Sequence, residues 1–396
     1  MSDHPNHQLL MRPSPWVLNL VVWLNSLGSG ILWTGVFFVT EKEFNFTEGE
    51  NLLLSLGTSL IYIPSALGSG PLRRRWLANA APRSVLRALV WVQGAASLLA
   101  LAGAWGVVAS AILVSAVAAA FWPIMESYVA SGRHGHDMRR SLGNFNLAWM
   151  SAVGASLFLI APIVGSSTPR LAILVLVPVS VLSLILLRWL PTHPAPHAAV
   201  EHSGHLPAVY GRLLRATRAI LPICYLFIGA LSPLLPFIMD RSGVEVSWQV
   251  VLVAVWMWAR VGVVAGLSRL AFWHGRWSTL AIGVALLAGG FALILSSQGM
   301  VVMAAGFVCF GLGQGILYYA SIYYAMAVGG AAIDAGGVFE GLIGFGYTLG
   351  PLAVFLGRAV GGEASVVACV WVFTGLMLIP AIRAAWPRRG VPTLTS

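Results

Sequence analysis

Twelve apolar runs, each long enough to cross a lipid bilayer, limit the fold of this chain more than any other feature. They cover residues 16–39, 51–70, 84–104, 106–129, 143–165, 171–190, 219–239, 248–268, 278–297, 301–324, 337–357 and 364–382. A helix needs about 20 apolar residues to span the hydrocarbon core. The pattern predicts an all-α integral membrane protein with about twelve transmembrane helices.

The composition excludes a water-soluble protein of ordinary type. Charged residues make up 9% of the 396 residues, hydrophobic residues make up 58%, and the mean hydropathy is +0.84. Soluble domains carry about 25% charged residues. The first apolar run is longer than the core of a signal peptide, and no small-residue cleavage site follows it, so we expect it to remain as the first span.

The arginines and the single lysine are distributed unevenly between alternate connections. With a cytoplasmic N-terminus, 18 of the 23 basic residues fall on the cytoplasmic side, four fall on the other side and Arg260 lies within a span. Cytoplasmic connections are enriched in Lys and Arg. We therefore expect a multi-pass protein of the cell inner (cytoplasmic) membrane with both termini in the cytoplasm. The net charge of +10 is then an orientation signal rather than a sign of nucleic-acid binding.

An internal repeat divides the chain into two parts of equal span number. Gly68 and Gly266, 198 residues apart, each end an apolar run and lead into a short arginine-containing connection. The longest break in the hydrophobic pattern, residues 191–218, lies near the midpoint. We predict two pseudo-symmetric six-helix bundles, with an N-terminal half at 1–190, a cytoplasmic linker at 191–218 and a C-terminal half at 219–396.

No motif for a cofactor, a metal ion or an enzyme emerges from the sequence. The linker histidines His193, His197, His202 and His205 could bind a metal, but no acidic or cysteine partner accompanies them, so a solvated linker is the favoured interpretation. The three cysteines lie in apolar runs and suit packing. Without a phosphate-binding loop or a nucleophile motif, we expect a protein that is not an enzyme, and ATP-driven transport would need a separate subunit.

The architecture resembles the major facilitator superfamily. The resemblance covers the six-plus-six spans, the long central loop and the basic connections after spans 2 and 8, where Gly68 and the arginines at 73–75 match the family pattern but its aspartate is absent. Glu126 and Arg133 keep a Glu-x6-Arg spacing found at the end of span 4 in sugar-porter-like members. The resemblance implies a monomeric secondary transporter that alternates access to a small molecule in a cavity lined by spans 1, 4, 7 and 10. A non-transporting sensor or assembly protein of the same fold is the alternative.

Three ionisable residues lie within predicted spans, where each costs about 2.5–3.5 kcal/mol on insertion scales. Arg260 lies near the middle of span 8, one turn after Trp256. Its guanidinium suits a bidentate contact with an anionic substrate. An ion pair with a glutamate between helices explains it equally well, so the sequence leaves both interpretations open.

Glu126 and Glu340 are the two intramembrane carboxyl groups, one late in span 4 and one early in span 11. Arg133 follows Glu126 by seven residues, and Asn144 is the position in span 5 that corresponds to Glu340 in the repeat. We predict that these four residues form a gate or a coupling site at the cytoplasmic end of the cavity. A structural gate network is the first interpretation, and coupling to a proton through one carboxylate is the second.

Polar and aromatic residues recur at helical spacing in several spans. In such a stripe, side chains face either a cavity or a neighbouring helix rather than lipid. The candidate substrate-binding set consists of Arg260, Trp256 and six further residues, which are Trp23, Ser26, Trp122, Gln314, Tyr318 and Tyr347.

Overall fold

The computed structural model of the protein describes residues 12–76, 79–133, 135–195, 208–329 and 333–386. His197, His202 and His205 of the predicted linker lie outside the described residues, as do Arg388 and Arg389. The described part of the chain contains helices and connections, with no β-strand.

Twelve helices among the described residues are long and apolar enough to cross a membrane, which confirms the predicted number of spans. We refer to them in chain order as span 1 to span 12. Their bounds are Pro15–Phe44, Glu48–Pro71, Pro82–Ala102, Ala104–Ala130, Arg140–Val164, Leu171–Trp189, Val209–Arg241, Val246–Arg269, Trp277–Ser296, Met300–Ala325, Gly336–Val360 and Glu363–Ala385. Because the number of spans is even, Pro15 and Ala385 lie at the same end of the bundle, here called the terminal end; the other is called the opposite end.

The connection between spans 3 and 4 is a single residue, Gly103. Its φ of +82° lies in a region that side chains with a Cβ rarely adopt. Three residues later, a Cβ at Gly106 would overlap the carbonyl oxygen of Leu99. Two glycines therefore allow the chain to reverse within one residue, and the apolar stretch that spans this turn is two helices rather than one.

Spans 1 and 7 occupy the centre of the molecule. In the most apolar stretch of each span, 78% of the residues of span 1 and 94% of those of span 7 are buried. The corresponding fractions are 33% in span 3, 39% in span 6 and 22% in span 12. The peripheral spans carry large exposed apolar side chains, such as Trp91, Leu182 and Leu376. An apolar outer surface of this extent is incompatible with water and suits the hydrocarbon core of a bilayer.

The two central spans are both interrupted by a turn that is not α-helical. Span 1 contains a π-helical turn at Ile31–Gly35, and span 7 contains a 3-10 turn at Ser232–Leu234, where Pro233 removes a backbone donor. The two turns are in contact with each other. The interruptions therefore bring irregular backbone from both bundles together at the centre of the fold.

Two pairs of helices form most of the contact between the bundles. Span 2 packs along span 11, and span 5 packs along span 8. Glycines in span 11 make the first approach possible, because a Cβ at Gly337 would lie 2.9 Å from the carbonyl oxygen of Ala66. The all-α fold with twelve spans in two six-helix bundles is thus as the sequence predicts.

Candidate functional site

A cavity lies at the centre of the molecule, between the two bundles. Its empty volume is about 730 Å³. Nine of its 18 lining residues come from spans 1, 2, 4 and 5, and nine come from spans 7, 8, 10 and 11. The family resemblance predicted a cavity lined by spans 1, 4, 7 and 10. In the structure, spans 2, 5, 8 and 11, which pack against each other between the bundles, line it as well.

Arg260 is the one basic residue among those that line the cavity. Only 2% of the side chain is exposed. Its guanidinium carbon lies 4.1 Å from the ring centroid of Trp149 and 4.8 Å from that of Tyr318, so aromatic rings cover it. Cation–π attraction offsets part of the burial of this charge. Its Nε and Nη2 atoms have no hydrogen-bond partner within the described residues.

Trp256 lies one helical turn before Arg260 and also lines the cavity. Its indole ring meets Phe310 edge-on, with 5.4 Å between centroids, and its Nε1 has no hydrogen-bond partner in the described part of the chain. Span 10 approaches this part of span 8 closely through glycines. A Cβ at Gly311 would overlap the carbonyl oxygen of Trp256, and one at Gly315 would lie 3.1 Å from that of Arg260.

The ring of Trp149 is held in place from its own helix. Its Nε1 donates a hydrogen bond of 2.9 Å to Oδ1 of Asn146, whose Nδ2 donates to the carbonyl oxygen of Leu142 at 2.8 Å. The ring that covers Arg260 is therefore fixed by a hydrogen-bonded side chain one turn earlier. This contact also joins the two bundles, because Trp149 belongs to span 5 and Arg260 to span 8.

Two buried carboxyl groups lie in the half of the cavity nearer the terminal end. Tyr62 of span 2 donates a hydrogen bond from its hydroxyl to Oε2 of Glu340. Glu126 forms no hydrogen bond or ion pair among those described, and its Oε2 lies against the backbone of Gly336, where a Cβ would be 2.5 Å away. Spans 2, 4 and 11 therefore converge on a pair of carboxyl groups with different surroundings.

Aromatic rings connect the acidic part of the cavity to Arg260. Neighbouring rings in this series have centroids 4.2–6.4 Å apart, which is the range of stacked and edge-on contacts. The order of the series is Tyr62, Trp33, Tyr347, Tyr225, Tyr318 and Trp149. The series passes from one bundle to the other between Trp33 and Tyr347 and between Tyr318 and Trp149. Its rings therefore belong to the interface between the bundles as well as to the cavity wall.

The structure brings seven of the twelve predicted site residues to the cavity. These are Trp122, Glu126, Trp256, Arg260, Tyr318, Glu340 and Tyr347. Arg260 forms no ion pair with either glutamate within the described residues, so its surroundings differ from the interhelical pair that the sequence also allowed.

The other five predicted residues lie away from the cavity lining. Trp23 packs beside Leu24 and Leu27, and Ser26 donates a 2.7 Å hydrogen bond to the carbonyl oxygen of Val22. Gln314 is fully buried in span 10, and neither of its amide atoms has a partner among the described residues.

Arg133 and Asn144 lie near the terminal end. Arg133 donates from Nη1 to the carbonyl oxygens of Tyr128 and Val129 and from Nη2 to that of Pro13. The Asn144 side chain is exposed. Arg133 thus binds the last carbonyl groups of span 4, whereas neither residue contacts the two carboxyl groups.

Eleven of the 18 lining residues lay outside the predicted set, and three of them are Tyr62, Trp149 and Tyr225. Each of these three is a single aromatic residue in the middle of a span without a polar stripe, which is a weak signal. Trp33, which recurs at helical spacing with Trp23 and Ser26 in span 1, lines the cavity from within the π turn. Trp23 and Ser26, which precede that turn, pack within their own bundle.

Ion pairs join the bundles at the opposite end. Nζ of Lys42 lies 3.0 Å from both carboxylate oxygens of Asp240, which also accepts a 2.6 Å hydrogen bond from Gln249. Arg358 donates to both carboxylate oxygens of Glu48, at 2.6 and 2.8 Å. With the Ala66–Gly337 approach at the terminal side, the bundles are in contact on both sides of the cavity.

The fold and the cavity are those of a membrane transporter. A sequence model of the Major Facilitator Superfamily matches residues 18–353, and the chain belongs to that superfamily. Its members bind small-molecule substrates within the membrane. A comparison with the sequences of curated proteins gives no significant match.

Solved structures of two transporters superpose on the whole chain. The human organic anion transporter MFSD10 (TETRAN) is 15% identical, with a TM-score of 0.66 over 96% of this chain and 100% of that one. The nucleoside transporter NupG is 13% identical, with a TM-score of 0.63 over 94% of this chain and 98% of that one. At these identities the likeness shows the fold, and the two differ in what they carry.

Proposed function

We propose that the protein is a secondary active transporter that moves a small organic anion by alternating access to the central cavity. One observation carries the proposal. Arg260 lines the cavity at the interface of the bundles, and two of its guanidinium nitrogens are buried without a partner in the described residues. Buried guanidinium nitrogens without an acceptor are costly in a low-dielectric site, and an anionic substrate provides that acceptor.

The contacts between the bundles support alternating access. Ion pairs close the opposite end, and the packing of spans 2 and 11 closes the terminal end. A transporter of this type opens one end by breaking one of these sets while the other stays intact. The sequence has no nucleotide-binding loop, so an ion or substrate gradient is the energy source in this proposal.

The proposed orientation places both termini in the cytoplasm of a cell whose inner membrane holds the protein. The arginine bias of 18 against four supports this orientation. The terminal end is then cytoplasmic, and residues 191–218 form the linker between a half at 1–190 and a half at 219–396. The opposite-end ion pairs then close the cavity towards the outside.

Transport assays with a matched pair of arginine variants test the proposal. Purified protein in proteoliposomes should exchange an internal organic anion for the same labelled anion outside. Arg260→Gln should abolish this exchange, whereas Arg276→Gln, which changes an exposed arginine, should leave it unchanged. Size-exclusion profiles of both variants in detergent show whether the fold is retained.

The main alternative is a non-transporting sensor or assembly protein of the same fold. Such a protein binds an anion, with a rise in unfolding temperature, but does not exchange it across the membrane. Binding without exchange in sealed proteoliposomes would favour this alternative. Exchange of neutral nucleosides with no exchange of anions would overturn the anionic substrate and leave transport itself in place.

A further inference from the structure

We infer that the transported anion is a compact monocarboxylate with a planar, unsaturated body, and that Arg260 and Trp256 together bind its carboxylate. The inference rests on the proposed function and narrows it to one class of substrate.

The unpartnered atoms of Arg260 form one edge of the guanidinium. Nε and Nη2 direct their N–H bonds to the same side, and this edge matches the two oxygens of a carboxylate. The rings of Trp149 and Tyr318 lie 4.1 and 4.8 Å from the guanidinium carbon. Because these rings cover the cation, an anionic acceptor would bind at this unpartnered edge of the guanidinium.

Trp256 adds a third unpartnered donor among the residues that line the cavity. Its Nε1 is buried and has no partner within the described residues, and the residue lies one turn from Arg260 on the same helix. An indole N–H donates and cannot accept, so it selects an acceptor group. Two adjacent side chains thus present donors of one kind, which a carboxylate satisfies and an ammonium group does not.

The rest of the cavity suits a planar apolar body. Nine of the 18 lining residues are aromatic. The series of neighbouring rings described above runs from the Arg260 site to Tyr62 without interruption. Planar unsaturated groups gain stacking and edge-on contacts with such rings beyond the burial of apolar area. A saturated ring of similar size gains burial alone.

The cavity offers no cation for a second negative charge. Arg260 is the one basic residue that lines it, and the acidic residues Glu126 and Glu340, 7% and 6% exposed, lie at its far end. A dianion that filled the cavity would therefore bury its second charge without a cation to pair with it. One arginine therefore fits one carboxylate.

The cavity has room for such a molecule. Its empty volume of about 730 Å³ lies in the range of pockets that bind small organic ligands. A single ring with one carboxylate fits this space.

Four probe molecules of similar size test each part of the inference. They are benzoate, cyclohexanecarboxylate, benzamide and terephthalate, and their dissociation constants are measured on the purified protein by calorimetry. Benzoate should bind about tenfold or more tightly than each of the other three, since each lacks one feature: planarity, charge or single charge. Labelled benzoate should also be exchanged in proteoliposomes.

Two variants on the same helix assign the carboxylate site. Trp256→Phe replaces the indole by a phenyl ring, so the side chain stays aromatic but loses its N–H donor. Benzoate affinity should fall by about tenfold. Trp258→Phe makes the same change two residues later, on a side chain that is 41% exposed, and should leave affinity unchanged. Arg260→Lys should weaken benzoate binding by about 10- to 100-fold, because a point charge replaces the fork.

The outcomes separate this inference from the function on which it rests. Equal affinity for benzoate and cyclohexanecarboxylate would overturn the planar body, and equal affinity for benzamide would overturn the carboxylate. Exchange of a phosphonate or a dicarboxylate in preference to benzoate would overturn the monocarboxylate while the anion transporter stands. Failure of every anion to exchange would overturn the proposed function as well.

Discussion

At the scale of the residue, the cavity holds two carboxyl groups in unequal surroundings. Glu340 accepts a hydrogen bond from Tyr62, whereas Glu126 lies against the bare backbone of Gly336 with no hydrogen bond within the described residues. A carboxyl group that gains and loses a proton during transport must be free to change partners. Glu126 meets that requirement better than Glu340 does, which favours it as the coupling site.

We expect Glu126→Gln to uncouple transport from protons without stopping it. The variant should exchange labelled substrate as fast as the wild type, since exchange needs no net proton movement. It should not accumulate substrate above the external concentration when a pH gradient is imposed. Asp137→Asn, a change at an exposed carboxylate, serves as the control and should retain accumulation. Normal gradient-driven accumulation by Glu126→Gln would remove this residue from the coupling step.

At the scale of the element, the burial of the Arg260 side chain depends on how closely spans 8 and 10 approach each other. Gly311 and Gly315 of span 10 lie against the backbone of Trp256 and Arg260. In a membrane, small residues at a crossing let two helices pack by direct backbone contact. Span 10 also supplies Tyr318, one of the rings that cover the guanidinium. The crossing therefore positions both the cation and its aromatic cover.

Replacement of Gly311 by alanine should separate these helices and destabilise the protein. The added Cβ would overlap the carbonyl oxygen of Trp256 and lie 2.9 Å from the Cβ of Ala259. Overpacking of this kind costs about 1–3 kcal/mol. Gly262→Ala on span 8 is the matched control, because nothing lies within 4 Å of its Cβ position. We expect a lower unfolding temperature in detergent for the first variant only; equal temperatures would show that the crossing has room to relax.

At the scale of the whole molecule, both ends of the cavity are closed by contacts of different kinds. Charged residues join the bundles at the opposite end, where Lys42 meets Asp240 and Arg358 meets Glu48. Glycine-mediated helix packing joins them at the terminal end. Ion pairs are broken and hydrated more readily than packed backbone is separated, so the opposite end is suited to opening into an aqueous compartment.

Cysteine labelling should establish which compartment that is. Ser167→Cys and Glu245→Cys place an exposed thiol in connections at the opposite end, and Asn79→Cys places one at the terminal end. In intact cells, a membrane-impermeant maleimide should label the first two variants, and it should label the third only after permeabilisation. The wild-type protein, whose three cysteines all lie within spans, gives the background. The reverse pattern would invert the proposed orientation.

Sequence alone determined the number of spans, the all-α class and the location of the three intramembrane ionisable residues. Those properties depend on local hydrophobicity and on the length of each apolar run, so no knowledge of neighbours is needed. Arg260, Glu126 and Glu340 stood out for the same reason, since a charge in an apolar run is conspicuous wherever the helix faces.

Only the tertiary structure decided which faces meet. Trp33 lines the cavity from the π turn of span 1, whereas Trp23 and Ser26 pack within their own bundle, although all three recur at helical spacing. Tyr62 and Trp149 gain their importance from Glu340 and Arg260, which are 278 and 111 residues away in the chain. Whether a buried arginine contacts a glutamate or an aromatic ring depends on the packing of spans 5, 8 and 10, and such long-range packing leaves no periodic signal in a single sequence.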